Sequence, residues 1–299
     1  MTTSSTSTLA QPVSRLKPRT DSMLRMSTRR LLRNRGAVLG GIILLVFIVA
    51  AVAAPLISPY DPVEMNPPAR LQPPSLSHPF GTDNFGRDIF ARVLHGTRIS
   101  LPMGIIAVAI SLAIGLVGGL LAGYYGRWMD AGIMRGVDVM LAFPGLLLAL
   151  AIVATMGPSL VNAMIAVGIA AAPVYIRVVR ANVLSAREYD YVEAARSIGV
   201  PERTIIVRHI LPNVSAPVIV LATLGVAGAI ITAAALSYLG LGVKPPTPEW
   251  GSMLREASNY LRLAPWTTTF PGLAIVVAAL AINLLGDGLR DTLDPRMKL

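Results

Sequence analysis

Long apolar runs alternate with short polar segments along this chain, and the length of the runs predicts a bundle of helices. Six runs come close to the roughly 20 apolar residues that a helix needs to cross a hydrocarbon core of about 30 Å. They cover residues 37–57, 99–121, 137–156, 160–176, 217–239 and 268–285. Backbone polar groups in lipid must be paired within their own segment, so runs of this length favour helices. The prediction is an all-α membrane protein with six transmembrane helices.

The composition supports this class of protein. Only 14% of the 299 residues are charged, whereas soluble domains carry about 25%. The chain has no cysteine, which excludes disulfides and thiolate metal sites. Its histidines, His78, His95 and His209, show no metal-ligand spacing. We therefore expect no metal site and no cofactor bound by this chain.

The placement of lysine and arginine predicts an orientation. If both termini are cytoplasmic, most of the 26 basic residues flank the spans on the cytoplasmic side. The net charge of +10 then reflects the membrane, and no nucleic-acid partner is expected. A signal peptide cleaved near AVAAP, residues 51–55, is the alternative interpretation of the first run. That run is longer than the 7–15 residues typical of a signal core, so an uncleaved helix is favoured.

These features divide the chain into four segments. Residues 1–22 are rich in Ser, Thr and Pro, which is typical of a disordered tail, here cytoplasmic. Residues 23–57 combine a basic amphipathic stretch with the first transmembrane helix. Residues 58–98 form an extracytoplasmic loop. Residues 99–299 form a five-helix core that contains a polar cytoplasmic loop, 187–213.

Loop 187–213 is a charged island between two apolar runs, and its spacing predicts two short helices. In the first, Tyr191, Ala194, Ala195 and Ile198 recur at helical spacing and form one narrow, flat apolar face beside Glu193 and Arg196. We expect Gly199 to end this helix, Pro201 to open the second, and Leu211-Pro212 to end the second before the fifth span.

Two partners are conceivable for the narrow apolar face. A helix lying on the bilayer surface normally carries bulky Trp, Phe or Leu on its apolar side. Alanine buries too little area for that purpose. Docking into a protein cleft is the favoured interpretation.

A second polar stretch, loop 79–101, precedes the second span. Gly81, Gly86 and Gly96 permit tight turns, and Asp83, Arg87, Asp88, Arg92 and Arg98 suggest an exposed ion-pair network that staples an outer loop. Within the second span, Gly115, Gly119 and Gly123 make two overlapping GxxxG units. Small residues at this spacing let helices pack closely in lipid, and packing within the bundle is favoured over a subunit interface.

Several strings resemble one family, the inner-membrane permeases of dipeptide, oligopeptide and nickel ABC importers. Glu193-Ala194-Ala195, Gly199 and Leu211-Pro212 are similar to that family's EAA loop, whose usual Ile is replaced here by His209. GTDNFGRD, beginning at Gly81, resembles the signature of one of the two permease subunits. Residues 236–254, 265–275 and 283–296 resemble the family at the same relative positions, so the resemblance covers about residues 30–299.

The resemblance assigns two groups of site residues. The ATPase-coupling loop would contain Tyr191, Glu193, Ala194, Ala195, Arg196, Ile198, Gly199, Pro201, His209, Leu211 and Pro212. The extracytoplasmic signature loop would contain Gly81, Thr82, Asp83, Gly86, Arg87, Asp88, Arg92 and Arg98.

The resemblance also implies a fold, a location and partners. The fold would be that of a type I ABC importer permease in a bacterial inner membrane, surrounded by lipid. The partners would be a second, related permease, two cytoplasmic ATP-binding subunits that hold ATP and Mg, and an extracytoplasmic substrate-binding protein. The substrate would be a dipeptide or oligopeptide, with nickel chelate, haem or glutathione as alternatives.

The chain itself is not expected to be an enzyme. A phosphate-binding loop reads G-x-x-x-x-G-K-[ST], and none of its three lysines stands in that context. An ion- or proton-coupled secondary transporter is the alternative class. It predicts ionisable residues deep in the spans, and the six runs contain almost none, Asp138 lying near the end of one.

Overall fold

The computed structural model describes residues 31–293, and this part of the chain is helical, without a β-strand. Its helices are α1 (Arg35–Val52), α2 (Ala54–Ile57), α3 (Ile89–Tyr125), α4 (Arg127–Leu141), α5 (Gly145–Met156), α6 (Leu160–Arg187), α7 (Asp190–Ser197), α8 (Glu202–Thr204), α9 (Leu211–Tyr238), α10 (Trp250–Ala257) and α11 (Trp266–Leu293). A π-helical turn, Ile205–Ile210, joins α8 to α9. The predicted tail, residues 1–22, lies outside the described residues, as does the chain from residue 294 onwards.

The all-α membrane fold is confirmed, with one correction to the predicted spans. Five helices are long and apolar enough to cross a membrane: α1, α3, α6, the continuous α8–α9 helix and α11. The predicted span 137–156 is instead two helices, α4 and α5, whose axes are bent by 95°. Pro144 explains the break, because proline lacks the N–H of a helical bond and disfavours helix in the residue before it. The bent pair supplies the sixth span only if it counts as one.

Two further helix boundaries differ from the prediction. The first span ends at Val52, and Pro55 lies in the first turn of the separate helix α2, where its missing N–H costs nothing. Helix α3 begins at Ile89, inside the segment assigned to the outer loop. The reason is a cap, since the Asp88 carboxylate accepts a 2.7 Å hydrogen bond from the Ala91 backbone N–H.

The predicted glycine stripe lies where α3 packs along α6. Gly115, Gly119 and Gly123 are buried, and a Cβ on any of them would overlap with a side chain of α6. The three side chains they face are those of Tyr175, Val179 and Val183. The small residues therefore bring these two helices of the same chain close together.

Helix α3 connects the two ends of the bundle. Its 37 residues span about 56 Å. One end, called the outer end after the predicted orientation, contains a buried cluster with Ile89, Val93 and Trp250. The other, called the inner end, contains a buried cluster with Tyr124 of α3 and Val192 of α7. Loops 79–101 and 187–213 thus lie at opposite ends of the molecule.

Candidate functional site

The first helix of loop 187–213 is α7, which ends just before Gly199, as predicted. It begins at Asp190, after a break at Glu188 and Tyr189. At its end the Gly199 N–H donates to the Arg196 carbonyl at 2.9 Å, and the Val200 N–H donates to the Ala195 carbonyl at 3.1 Å. These two bonds form a Schellman motif. Gly199 has a φ of +76°, a conformation that suits glycine alone at low cost.

Helix α7 has an inward face and an outward face. Val192 and Ala195 are buried and pack against residues of α6, the π-turn and α9, including Ile205 and Val214. Tyr191, Ala194 and Ile198 are exposed, Ile198 to 80%. The helix is therefore fixed to the bundle on one side and presents apolar surface on the other.

The division into two faces corrects one part of the prediction. Ala195 was expected on the same face as Tyr191 and Ile198, but it is only 7% exposed. Ala195 lies three residues after Val192, and together these two side chains form the inward, buried face of α7. The outward face is therefore narrower than the four-residue face predicted from spacing.

His209, the position where the loop departs from the family pattern, lies next to α7. Its ring centroid is 6.1 Å from that of Tyr191. The Asn213 amide connects the two residues, donating to the Tyr191 hydroxyl at 2.9 Å and to the His209 carbonyl at 2.6 Å. His209 is half-buried and lies beside Tyr191, a residue of the outward face of α7.

The expected end of the second helix at Leu211-Pro212 is wrong. The helix that opens after Pro201 runs from Glu202 to Tyr238 without interruption. The π-turn makes this possible: the Leu211 N–H donates to the Ile206 carbonyl, five residues back. A helix interior tolerates proline poorly because a hydrogen bond is lost and the ring clashes, and the wider turn relieves both just before Pro212.

The remaining residues of this loop border the outward face of α7. Glu193 and Pro201 are exposed, and Glu193 lies in the first turn. The Arg196 guanidinium lies over the ring of Tyr124, 5.4 Å from its centroid. Arg196 therefore ties α7 to the end of α3 and remains accessible.

Four of the five charged side chains in loop 79–101, those of Asp83, Arg87, Asp88 and Arg92, are buried, although an exposed ion-pair network was expected. Asp83, Arg87 and Arg92 are 8%, 1% and 1% exposed. The Arg87 Nε donates to an Asp83 carboxylate oxygen at 2.6 Å, and Arg92 lies 3.6 Å from the same oxygen. Because the residues fold into a turn at the outer end of the bundle, these charges are shielded from solvent and paired with one another.

Glu256 completes this network, and sequence analysis missed it. Its carboxylate accepts from Arg87 and, at 3.4 Å, from Arg92. It belongs to α10, 169 residues from Arg87 along the chain. No local spacing signals such a partner. The ion pairs therefore fix loop 79–101 to α10.

The other predicted residues of loop 79–101 shape its turn. Gly81 and Gly86 have φ values of +72° and +75°, and a Cβ on Gly86 would overlap with the Asn66 carbonyl. The Thr82 hydroxyl donates to the Ala69 carbonyl, and the Asp88 carboxylate bonds His78 at 2.9 Å. These contacts hold the turn rigidly.

Arg98 is not part of the ion-pair network. Its guanidinium donates to the carbonyls of Ala51 and Val52, at 2.6 and 3.1 Å. These carbonyls lie in the last turn of α1, where the N–H groups that would follow in a continuing helix are missing. Arg98 therefore ties the first span to α3.

These features define a helical membrane subunit with a rigid outer end and a short helix mounted at its inner end. Within residues 31–293, no group of three or more His, Asp or Glu side chains is placed to hold a metal ion.

Comparison with known families identifies the class. The family of binding-protein-dependent transport system inner membrane components matches residues 115–299. The N-terminal transmembrane domain of oligopeptide transport permease C matches residues 22–74. The chain belongs to this family of inner-membrane permease components.

Individual relatives are similar over nearly the whole chain. The dipeptide transport system permease protein DppC of Alkalihalophilus pseudofirmus is 51% identical over 274 residues, which cover 92% of this chain and 90% of that protein. The glutathione transport system permease protein GsiD of Pectobacterium atrosepticum is 49% identical, covering 90% of both. Among solved structures, the inward-facing MetNI methionine ABC transporter matches with a TM-score of 0.56 at 17% identity, covering 69% of this chain and 98% of that one. The last similarity supports the ABC importer permease fold.

Proposed function

We propose that this chain is one permease subunit of an ATP-driven importer that moves dipeptides or oligopeptides across the bacterial inner membrane. The observation that carries the proposal is that α7 is packed against the bundle on one face and exposed on the other. Val192 and Ala195 anchor it to the bundle, while Tyr191, Ala194 and Ile198 are exposed on its outward face. A surface of this kind suits a groove on a separate subunit.

The mounting of α7 gives a physical basis for coupling. The helix packs directly against α6 and the π-turn, and the π-turn continues into the membrane-spanning α9. A displacement of the outward face by a cytoplasmic ATPase therefore moves two spans together. No ATP or Mg needs to bind this chain, since both belong to the ATPase.

The proposed assembly contains two permeases and two ATP-binding subunits. One α7 per chain implies a second permease chain if each ATPase of a pair engages one such helix. We propose that this second chain is a related permease rather than a copy of this one. An extracytoplasmic binding protein would deliver substrate to the outer end, where loop 79–101 and α10 are rigidly joined.

The proposed substrate class is peptides, and relatives supply the support. Permeases named for dipeptides and for glutathione, itself a tripeptide derivative, are 51% and 49% identical to this chain. Glutathione is therefore the second candidate. Uptake of a panel of di- and tripeptides and of glutathione, by a strain with and without this gene, distinguishes the two.

The coupling role is tested by replacing Glu193 with alanine, with Glu202→Ala as the matched control. Both acids are exposed, but only Glu193 lies on α7. In the assembled transporter, Glu193→Ala should lower substrate-stimulated ATPase activity while membrane insertion remains intact, and Glu202→Ala should leave that activity nearly unchanged. Normal coupled transport by Glu193→Ala and by a bulky Gly199→Val variant would contradict the docking role of α7.

The energy source separates the proposal from a secondary transporter. Uptake should stop when cellular ATP is depleted and should persist when an uncoupler collapses the proton gradient with ATP held constant. The opposite pattern would favour ion or proton coupling.

A further inference from the structure

A groove of about 300 Å³ lies at the inner end of the bundle, on the side of α3. One wall is α3 between Val117 and Tyr125, and the other is Arg203, Ile206 and Val207. Apart from Tyr125 and Arg203 its lining is aliphatic, and no acidic side chain lines it. We call this feature the inner groove.

The inner groove has an apolar part and a polar end. Val117 lies eight residues before Tyr125, so it sits about 12 Å deeper along α3. Tyr125 lies just beyond the apolar run 99–121, at the level where an aromatic ring with a hydroxyl suits the membrane interface. Arg203 occupies the first turn of the opposite helix, at the same end of the bundle. The groove therefore runs from the headgroup level into the hydrocarbon core.

The Arg203 guanidinium is available to an external anion. It takes part in none of the ion pairs among residues 31–293. Arg177 pairs with Asp138, Arg180 with Asp130, and Arg187 with Glu188. Arg203 differs from the exposed Arg196 and Arg208 in that it lines the inner groove. A single accessible cation above an apolar groove complements a phosphate joined to an acyl chain.

From this arrangement we propose that the inner groove binds an anionic phospholipid of the cytoplasmic leaflet. One acyl chain lies between α3 and the π-turn, against Val117 and Val207, and the phosphate is held by Arg203 with the Tyr125 hydroxyl. Basic pockets between spans on the cytoplasmic side are suited to such headgroups. The site would place a bound lipid directly beside the π-turn that connects α7 to the membrane.

The test uses the full purified chain and two lipids with identical acyl chains, phosphatidylglycerol and phosphatidylcholine. Native mass spectrometry should show preferential retention of phosphatidylglycerol by about fivefold, the effect of one basic residue near an anionic surface. Arg203→Gln should remove this preference. Arg208→Gln, in an exposed position on the same helix but outside the groove, should retain it. Equal preference in the two variants would overturn the proposal.

A second variant tests the apolar part of the inner groove. Val207 is 59% exposed, so Val207→Trp fills the groove without disturbing the core. It should reduce retention of both lipids, while the helical content measured by circular dichroism stays unchanged. Undiminished retention by a folded Val207→Trp protein would rule out an acyl chain in this groove.

A photo-reactive amino acid at Val117 distinguishes lipid from a protein occupant. Val117 is 61% exposed on the groove wall. Irradiation of native membranes that contain the assembled transporter should give a small mass increase corresponding to a phospholipid. An adduct with another protein subunit would show that protein covers the groove, and would overturn the lipid assignment.

Discussion

Loops 79–101 and 187–213 are both rich in charged residues, but the charges have opposite roles in the two loops. At the outer end Asp83, Arg87 and Arg92 are buried and paired with one another and with Glu256. At the inner end Glu193 and Arg196 are exposed, and apolar contacts of Val192 and Ala195 hold the loop in place. The outer loop is held mainly by buried charges, whereas the inner loop is held mainly by buried apolar residues.

The two ends also differ in how the N-terminus of a short helix is capped: α10, which is ion-paired to loop 79–101, and α7, which lies within loop 187–213. The N-terminus of α10 is capped by the Glu249 carboxylate, which accepts from the N–H groups of Gly251 and Ser252 at 2.8 Å. The N-terminus of α7 has no side-chain cap. Substitutions at charged positions should therefore affect stability at the outer end and coupling at the inner end.

The largest expected effect is on stability at the outer end. Arg87→Met leaves Asp83 and Glu256 without their main partner, and removing one member of a buried ion pair costs about 3–5 kcal/mol. Thermal unfolding of the purified chain should show a large decrease in Tm. Arg70→Met in the same outer region is the control, because Arg70 is exposed and its described contacts are with Tyr260, a hydrogen bond to the hydroxyl and a position over the ring. Equal Tm values for the two variants would remove the contrast between the ends.

The second effect concerns the apolar anchor at the inner end. Ile205 is fully buried between α7 and the bundle. Ile205→Ala should cost about 2–5 kcal/mol through the cavity it leaves, and it should loosen α7. Hydrogen exchange should increase in residues 190–200 more than in α10. Uniform exchange along the chain would mean that α7 is not held by this cluster.

The third effect depends on pH and concerns Glu249. Burial raises the pKa of this carboxyl above its usual range, against the two backbone N–H bonds that lower it. The folded state therefore binds the proton more tightly than the unfolded state, so this contribution to stability is present at acid pH and lost as pH rises through the folded pKa. Glu249→Gln also weakens the cap, at about 1 kcal/mol. Its Tm deficit relative to the wild type should be largest near pH 5 and smaller at pH 7.5.

The smallest effect on stability is expected on the outward face of α7. Ile198→Ser should change the free energy of unfolding by less than about 0.5 kcal/mol, because the side chain is 80% exposed. The same variant should reduce substrate-stimulated ATPase activity of the assembled transporter. A decrease in Tm without a decrease in stimulated activity would reverse the assignment of the two ends.

The sequence predicted features that depend on neighbouring residues. Run lengths located most spans, Gly199 marked the end of α7, and the glycine spacing marked a close helix contact. Features that depend on distant residues were not predictable in this way. Glu256 joins Arg87 across 169 residues, and Ala195 lies on the inward face in a buried cluster with Ile205, a residue outside α7. The break at Pro144 had a visible signal, but proline inside a span is also compatible with a continuous helix, as Pro173 in α6 shows.

The π-turn at Ile205–Ile210 sets the rotational phase between loop 187–213 and the membrane. Deleting one residue there would restore ordinary α-helical bonding and turn everything before it by about 100° around the axis of α9. Arg203 would then leave the inner groove, and α7 would point its outward face in another direction. The number of residues between Gly199 and Pro212 therefore sets the angle between α7 and α9. This segment should tolerate substitutions far better than insertions or deletions.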